Sequence, residues 1–527
     1  MLKKILAFLL IIPMLVSCSL NEGEVSDIED GELIINDGNT VFRLVAEEAS
    51  TLLPTENIPV SLAEMSGICY EPLFDFDNAL NPIPILAKNC TMTQSTQYRV
   101  ELKEGIKWHD GSDFNAKDVV YTFNALKNSD GVFSEDVEKI LKAEVLTNTL
   151  VGFTLSEPTA NFVGLLSFPI IKRDTPREET TDFIPIGTGA YKFSQKKSNT
   201  YIFEKNENWH GGVASDKTVT LTLLKDKASA IYAFEASEAD VISSEIMNLA
   251  KNTPKGHVEI VDYISNNLTF LGMNTTDEGI LSDPEIRKAI SYLIDKESII
   301  KENVYGRGTA AEIPVYPGAW FYNKQNDAIE VTSDGNYLQN LLAQRGWFMK
   351  NGMYTKDFED YESELTLSIL VNKDNEEKKA IAQSVSDILG KNGILVKIKP
   401  VSYEQYTQKI QDMDFSMFIG EIALDKNMDP EKLVKSGENY FGYSSEAMDD
   451  ILMRMGMSGS NEELISCFDE FSAQFMQDMP FVPLFFRKKA MIATEELSGY
   501  GDPGYYKPFR NIENWYFTKK VEIENKE

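Results

Sequence analysis

Apolar and polar positions change period along this chain, and the changes mark its elements. Residues 98–102, Tyr-Arg-Val-Glu-Leu, alternate at period 2, as a half-buried strand does. Asp110-Gly111 supplies a turn, and Asn115 to Asp118 opens a helix with Val119, Phe123 and Leu126 on one face. Asp283-Pro284-Glu285 starts another helix, with a capping acid, a proline at the first position and an acid at the positive end of the dipole. Ile286, Ala289, Ile290, Leu293 and Ile294 form its apolar face. From residue 365 onward strand and helix alternate: strands at 365–371, 394–398 and 415–419, helices at 376–389 and 403–412. That order predicts a parallel sheet with helices packed on its faces, and ligand contacts in the loops at 372–375 and 420–430, beyond the strand ends.

The wording of these segments carries a resemblance. YEPLFDFD at 70–77, PILAKN at 84–89 and the run from Tyr98 through Trp108-His109-Asp110-Gly111 to Phe123 follow one another closely. Pro185-Ile-Gly-Thr-Gly-Ala-Tyr191 and Asn206-Glu-Asn-Trp-His210 come next, then the helix pair from Asp283. In order and wording this resembles the extracytoplasmic solute-binding proteins of ABC importers, in the family with oligopeptide-, dipeptide- and nickel-binding members. The resemblance runs from about residue 41 to 517. It implies an α/β fold: a two-lobed periplasmic-binding-protein-like clamp with an additional inserted domain. It places lobe one at 38–60, 184–270 and 487–527, the inserted domain at 61–183 and lobe two at 271–486. The Gly-Thr-Gly is then a structural turn rather than a phosphate loop, since Lys192 stands where the last glycine of GxGxxG belongs.

The N-terminus predicts an address. Lys3 and Lys4 precede an apolar run at 5–16, too short to span a bilayer but of signal-peptide length. Leu15-Val16-Ser17-Cys18 resembles the bacterial lipobox, which implies a signal peptide at 1–17 and lipidation of Cys18. Residues 19–37 hold seven acids, no bases and two glycines, the composition of a solvated tether.

Charge and cysteine content remove other classes. With 82 acidic against 51 basic residues and a formal charge of −31, no basic face for nucleic acid is expected. After Cys18, Cys69, Cys90 and Cys467 remain, with no CxxC spacing; Cys69 and Cys90 flank a strand-rich region where they could pair. Only three histidines occur, and there is no HExxH, GxSxG, Walker or EF-hand motif, so no enzyme, metal or cofactor is expected. Turnover of ATP would fall to partner subunits.

The resemblance also implies where ligand sits. Peptide-binding members carry an Asp in a loop after a lobe-two strand that pairs with the ligand's α-ammonium. Ile422-Ala-Leu-Asp425-Lys-Asn427-Met-Asp-Pro430 answers that loop, without its Trp and with its Pro displaced by one residue. Asp425, or Glu421 nearer the strand end, is therefore the expected anchor. Glu48 and Ser50 lie in the early lobe-one loop, Phe485 and Arg487 near the hinge, and Trp320 is a candidate pocket wall. The expectation is a monomeric lipoprotein that delivers peptides to a permease and its ATPases, with a nickel or haem carrier, or a peptide-sensing surface lipoprotein, as alternatives.

Overall fold

The computed structural model describes residues 25–29, 32–36, 40–176, 183–245, 254, 257–276, 279–323, 336–501, 503 and 507–522; for the first two segments and the last three residues this means backbone only. Cys18 and the apolar run at 5–16 lie outside them.

Two long strands organise the molecule. Val258–Met273 and Phe481–Thr494 run antiparallel through both lobes. In lobe one their outer halves pair with each other, and Val241–Ser244 adds to the edge. In lobe two, Val258–Met273 pairs with Met417–Ala423, which continues through Thr366–Asn372 to Leu395–Val401. The last three strands are mutually parallel, and the helices Glu376–Lys391 and Tyr403–Gln411 lie between them in the chain. This is the alternation read from the sequence. Asn375 caps the first helix and a Ser402/Gln405 capping box starts the second, satisfying amide groups that would otherwise be orphaned.

Lobe one adds a second sheet, in which Val41–Glu47 lies parallel to Thr218–Leu224 beside the Tyr191–Lys197 and Thr200–Lys205 hairpin. The inserted segment builds its own antiparallel sheet from Ala87–Gln94, Gln97–Leu102, Leu150–Leu155 and Ile140–Thr147. The helix Ala116–Lys127 packs on it, capped by Asn115 and Asp118. One hydrophobic core runs through this sheet and lobe one, from Phe42 and Trp515 to Trp108 and Phe153, while lobe two has a separate one.

Several of the sequence words that carry the resemblance meet in a single cluster. Trp209 Nε1 donates to Glu71 at 3.0 Å, and His210 Nε2 lies 2.8 Å from the same carboxylate. His109 Nδ1 accepts from the Gly187 amide at 3.2 Å, so its Nε2 donates to Gly189 O at 3.0 Å. Burial lowers the pKa of His109, and both ring nitrogens are occupied. At Gly187 a Cβ would stand 1.7 Å from the carbonyl oxygen of Cys69, so the glycine is required by close backbone approach.

One open question closes here and one expectation changes. Cys69 and Cys90 are free thiols; the Cys69 Sγ sits 3.9 Å from His109 Nδ1 instead. The acidic stretch is also not wholly a tether. Val25–Glu29 and Glu32–Asn36 form a hairpin that pairs with the C-terminal strand Tyr516–Glu522. A count of acids overlooked Leu33-Ile34-Ile35, a short run of high β-propensity beside a strand with ladder positions to offer.

Candidate functional site

The lobes meet where the two long strands slip register. Between Ile264↔Lys488 and Leu268↔Phe486, Ser265, Asn266 and Asn267 stand against Arg487 alone. Extra residues in one strand bend it and re-aim its side chains. Ser265 Oγ donates to Arg487 O at 2.9 Å, Asn266 Nδ2 donates to Leu424 O, and Asn267 turns into the cleft.

The cleft has two adjoining chambers that share Glu245, Asn267 and Lys489. The first, of about 300 Å³, has apolar walls from Val60, Phe76, Phe133, Leu165 and Leu424. Six carboxylates (Glu64, Asp75, Glu135, Asp136, Glu245 and Asp425) and three lysines (426, 489 and 507) also line it. Each lysine is already paired: Lys426 with Asp136 at 2.5 Å, Lys489 with Glu245 at 3.0 Å and Glu64 at 3.4 Å, Lys507 with Asp75 at 3.1 Å. Burial pushes the Glu64 and Asp136 carboxyls upward, against the pull of Lys489 and Lys426. Ser167 Oγ is buried at the chamber wall with no hydrogen-bond partner. The chamber therefore favours a ligand with apolar surface and positive charge.

The second chamber, of about 230 Å³, is lined by charged and polar side chains alone. Its centre is Arg487, which forks onto both oxygens of Glu377 and reaches Glu421 at 3.1 Å.

The residues singled out from the sequence divide accordingly. Asp425 lines the first chamber, and its Oδ1 accepts from Lys432 at 3.0 Å. Glu421 and Arg487 line the second and hold one another. Phe485 is fully buried in the lobe-two core, as is Phe486, so neither forms an aromatic wall of the cleft. Trp320 packs edge-on against Phe321, ring centroids 5.4 Å apart, and lines neither chamber. Glu48 and Ser50 are exposed just past the strand Val41–Glu47, also off both chambers. The sequence reading missed Glu64, Asp136, Lys378 and Lys489, which no motif marks, and passed over Lys426 inside the loop it did quote.

That loop is clasped by the inserted domain. Asn427 Nδ2 donates to Ala160 O at 2.8 Å, and Asn161 Nδ2 donates to Asn427 O at 3.3 Å. Lys139 pairs with Glu431 and lies 3.5 Å from Asp429, and Lys435 reaches Glu157 at 3.2 Å. Burial raises the Asp429 carboxyl to about 6. Among the described residues no group of three or more His, Cys, Asp or Glu could hold a metal ion. No described helix is long and apolar enough to cross a membrane.

Residues 81–440 match the family described as bacterial extracellular solute-binding proteins, family 5. The chain belongs to that family. The oligopeptide-binding protein AppA of Bacillus subtilis is 25% identical to this family 5 protein over 481 residues, covering 86% of this chain and 87% of AppA. Heme-binding protein A of Haemophilus influenzae is 25% identical over 416 residues, covering 72% and 73%. The unliganded open form of the murein tripeptide-binding protein MppA superposes with a TM-score of 0.79 at 18% identity, covering 93% of this chain and 99% of that one. The fold is thus that of the periplasmic binding proteins.

Proposed function

We propose that this family 5 protein is the lipid-anchored capture subunit of an ABC importer and that its solute is a peptide. The observation that carries the reading is the first chamber, where apolar walls accompany six carboxylates against three lysines. A peptide brings apolar side chains and an α-ammonium, and an ammonium desolvated between lobes needs a carboxylate partner. Asp425 is the proposed anchor, with Glu135 lining the same chamber. Similarity to an oligopeptide-binding protein across most of both chains supports the same reading. Binding energy would favour the closed clamp, the state offered to the permease, and the chain itself would carry out no chemistry. Lobe one would comprise 38–60, 184–270 and 487–527, the inserted domain 61–183 and lobe two 271–486, with Cys18 as the lipidated residue.

Haem carriage is the second reading, favoured by the 25% identity to heme-binding protein A. Native mass spectrometry of the gently purified protein separates the two. Retained peptide masses are expected; a retained haem or metal complex, or no peptide bound from a mixed library, overturns the proposal.

A further inference from the structure

Five of the six carboxylates that line the first chamber already hold a lysine. Glu64 and Glu245 share Lys489, Asp75 has Lys507, Asp136 has Lys426 and Asp425 has Lys432. Among the described residues the sixth, the Glu135 carboxylate, has no ion pair and no hydrogen bond. Lys432, whose charge interacts with it, is taken by Asp425 at 3.0 Å and lies 3.8 Å from Glu138. Burial, and after it the repulsion of Asp425 and Glu135, pushes the Asp136 carboxyl up against the pull of Lys426. Three acids, Glu135, Asp136 and Asp425, therefore stand with two lysines, and one negative charge is left over.

A second observation marks the same part of the wall. Glu135 opens a single turn, Glu135–Val137, that packs against the turn Phe162–Leu166, and Ser167 ends the latter. Ser167 is 3% exposed and lines the chamber, and its Oγ has no hydrogen-bond partner. A buried hydroxyl left unpaired is costly, so its position points to a group that arrives with the ligand. Val132 and Leu165 add apolar surface from the same two stretches of chain. A free carboxylate, an orphaned hydroxyl and apolar surface together complement a lysine or arginine side chain. Such a side chain lays its aliphatic stem on apolar wall and carries several N–H donors at its end.

We infer that this part of the first chamber receives a basic side chain of the peptide, with Glu135 pairing its charge and the Ser167 hydroxyl accepting one of its N–H groups. Asp425 takes the α-ammonium and Glu135 the side chain, so the solute is a peptide with two positive groups. The inference rests on the peptide reading and narrows it to basic peptides. It also gives the inserted segment a task, since Val132, Glu135, Leu165 and Ser167 all belong to it: that segment selects the side chain, while lobe two holds the end of the peptide.

The positive group at Glu135 could also be the α-ammonium itself, and the peptides are chosen to separate the two. One set has free N-termini and norleucine at every variable position; in the other, lysine replaces norleucine at one position at a time. Calorimetry on the full mature chain should find one position where lysine binds about 5- to 20-fold more tightly than norleucine. That is the lower part of the range for a charge-assisted hydrogen bond, because Glu135 is exposed before ligand arrives. Glu135→Gln should bring the lysine peptide down to the affinity of its norleucine counterpart. Ser167→Ala should narrow the gap between them, and a gap left intact overturns the part given to the hydroxyl. A lysine preference that survives Glu135→Gln overturns the site. An equal loss from both peptides in Glu135→Gln assigns the residue to the α-ammonium and overturns it too. Equal binding of lysine and norleucine at every position overturns the inference and leaves the peptide reading standing. No binding by any peptide overturns both.

Discussion

Asp429 offers a test of the contact between the inserted domain and lobe two that can be worked through in numbers. It is 6% exposed, its Oδ1 accepts from the Glu431 amide at 3.1 Å, and Lys139 Nζ lies 3.5 Å away. Burial wins over Lys139, and the carboxyl rises from 3.8 to about 6. A carboxyl raised in the folded state binds its proton more tightly there than in the unfolded chain. Stability from this group is therefore greatest below pH 3.8, falls as pH climbs towards about 6, and is level above it. At 1.36 kcal/mol per pH unit the gap amounts to about 3 kcal/mol at neutral pH, as an upper figure.

Asp429→Asn keeps the Oδ1 acceptor and removes the ionisation. Losing one member of a buried ion pair usually costs about 3–5 kcal/mol, through the charge left behind. Here Lys139 keeps Glu431 and Glu157 as partners, so that penalty is mostly avoided. The variant should match wild type near pH 4 and exceed it by up to about 3 kcal/mol at pH 7. Urea denaturation of both proteins, stepped across that range, measures the difference directly. A difference that does not change with pH would refute the argument, and a variant that loses ground as pH rises would reverse it.

Other outcomes follow from single contacts. Asp425→Asn should weaken peptide binding by about 2–5 kcal/mol, and N-acetylation of the peptide should do comparable damage without adding to it; calorimetry in which the two losses add would remove Asp425 from the site. Gly187→Ala should destabilise the protein by about 3 kcal/mol or more, because the new Cβ meets the Cys69 carbonyl; an unchanged melting temperature would contradict the packing. Cys18→Ala should leave an uncleaved precursor or release the protein from the membrane. A membrane-bound variant with the same processed N-terminus, read by mass spectrometry, would end the lipoprotein assignment.

What the sequence disclosed depended on range. The strands and helices from Thr366 to Ala423 were legible because period 2 and period 3.6 are written in neighbouring residues, and the Asn115 and Asp283 caps because capping is local. The loop at 420–430 was legible from the strand order, and the role of Asp425 within it only through resemblance. Arg487 looked available to a ligand because its partners stand 66 and 110 residues away, and no local pattern could show its fork to be occupied. Phe485 suited a pocket wall by type, but a strand in the middle of a sheet covered on both faces buries its side chains either way. Glu135 could not stand out among 82 acidic residues until the fold gave its neighbours Asp136 and Asp425 a lysine each.

Most of the family words lie away from the ligand chambers, although Asp75 and Phe76 of YEPLFDFD line the first. Glu71, His109, Gly187, Gly189, Trp209 and His210 bind the inserted segment to lobe one around a shared apolar core. Lobe two is joined to that body through the two long strands, at the slip beside Arg487, through the polar clasp on residues 427–435, and through Phe76, Leu80 and Ala160, which pack into its core. An apolar weld resists separation in water, whereas the part-exposed pairs of the clasp, such as Lys435 with Glu157, exchange for water at little net cost. Opening the clamp would therefore require release of the clasp and of the Phe76, Leu80 and Ala160 contacts, together with bending at Ser265 to Asn267. Since Asp425 and Lys426 border the clasp and Lys489 and Arg487 border the slip, opening separates the chamber walls at the same two places where a ligand would bridge them.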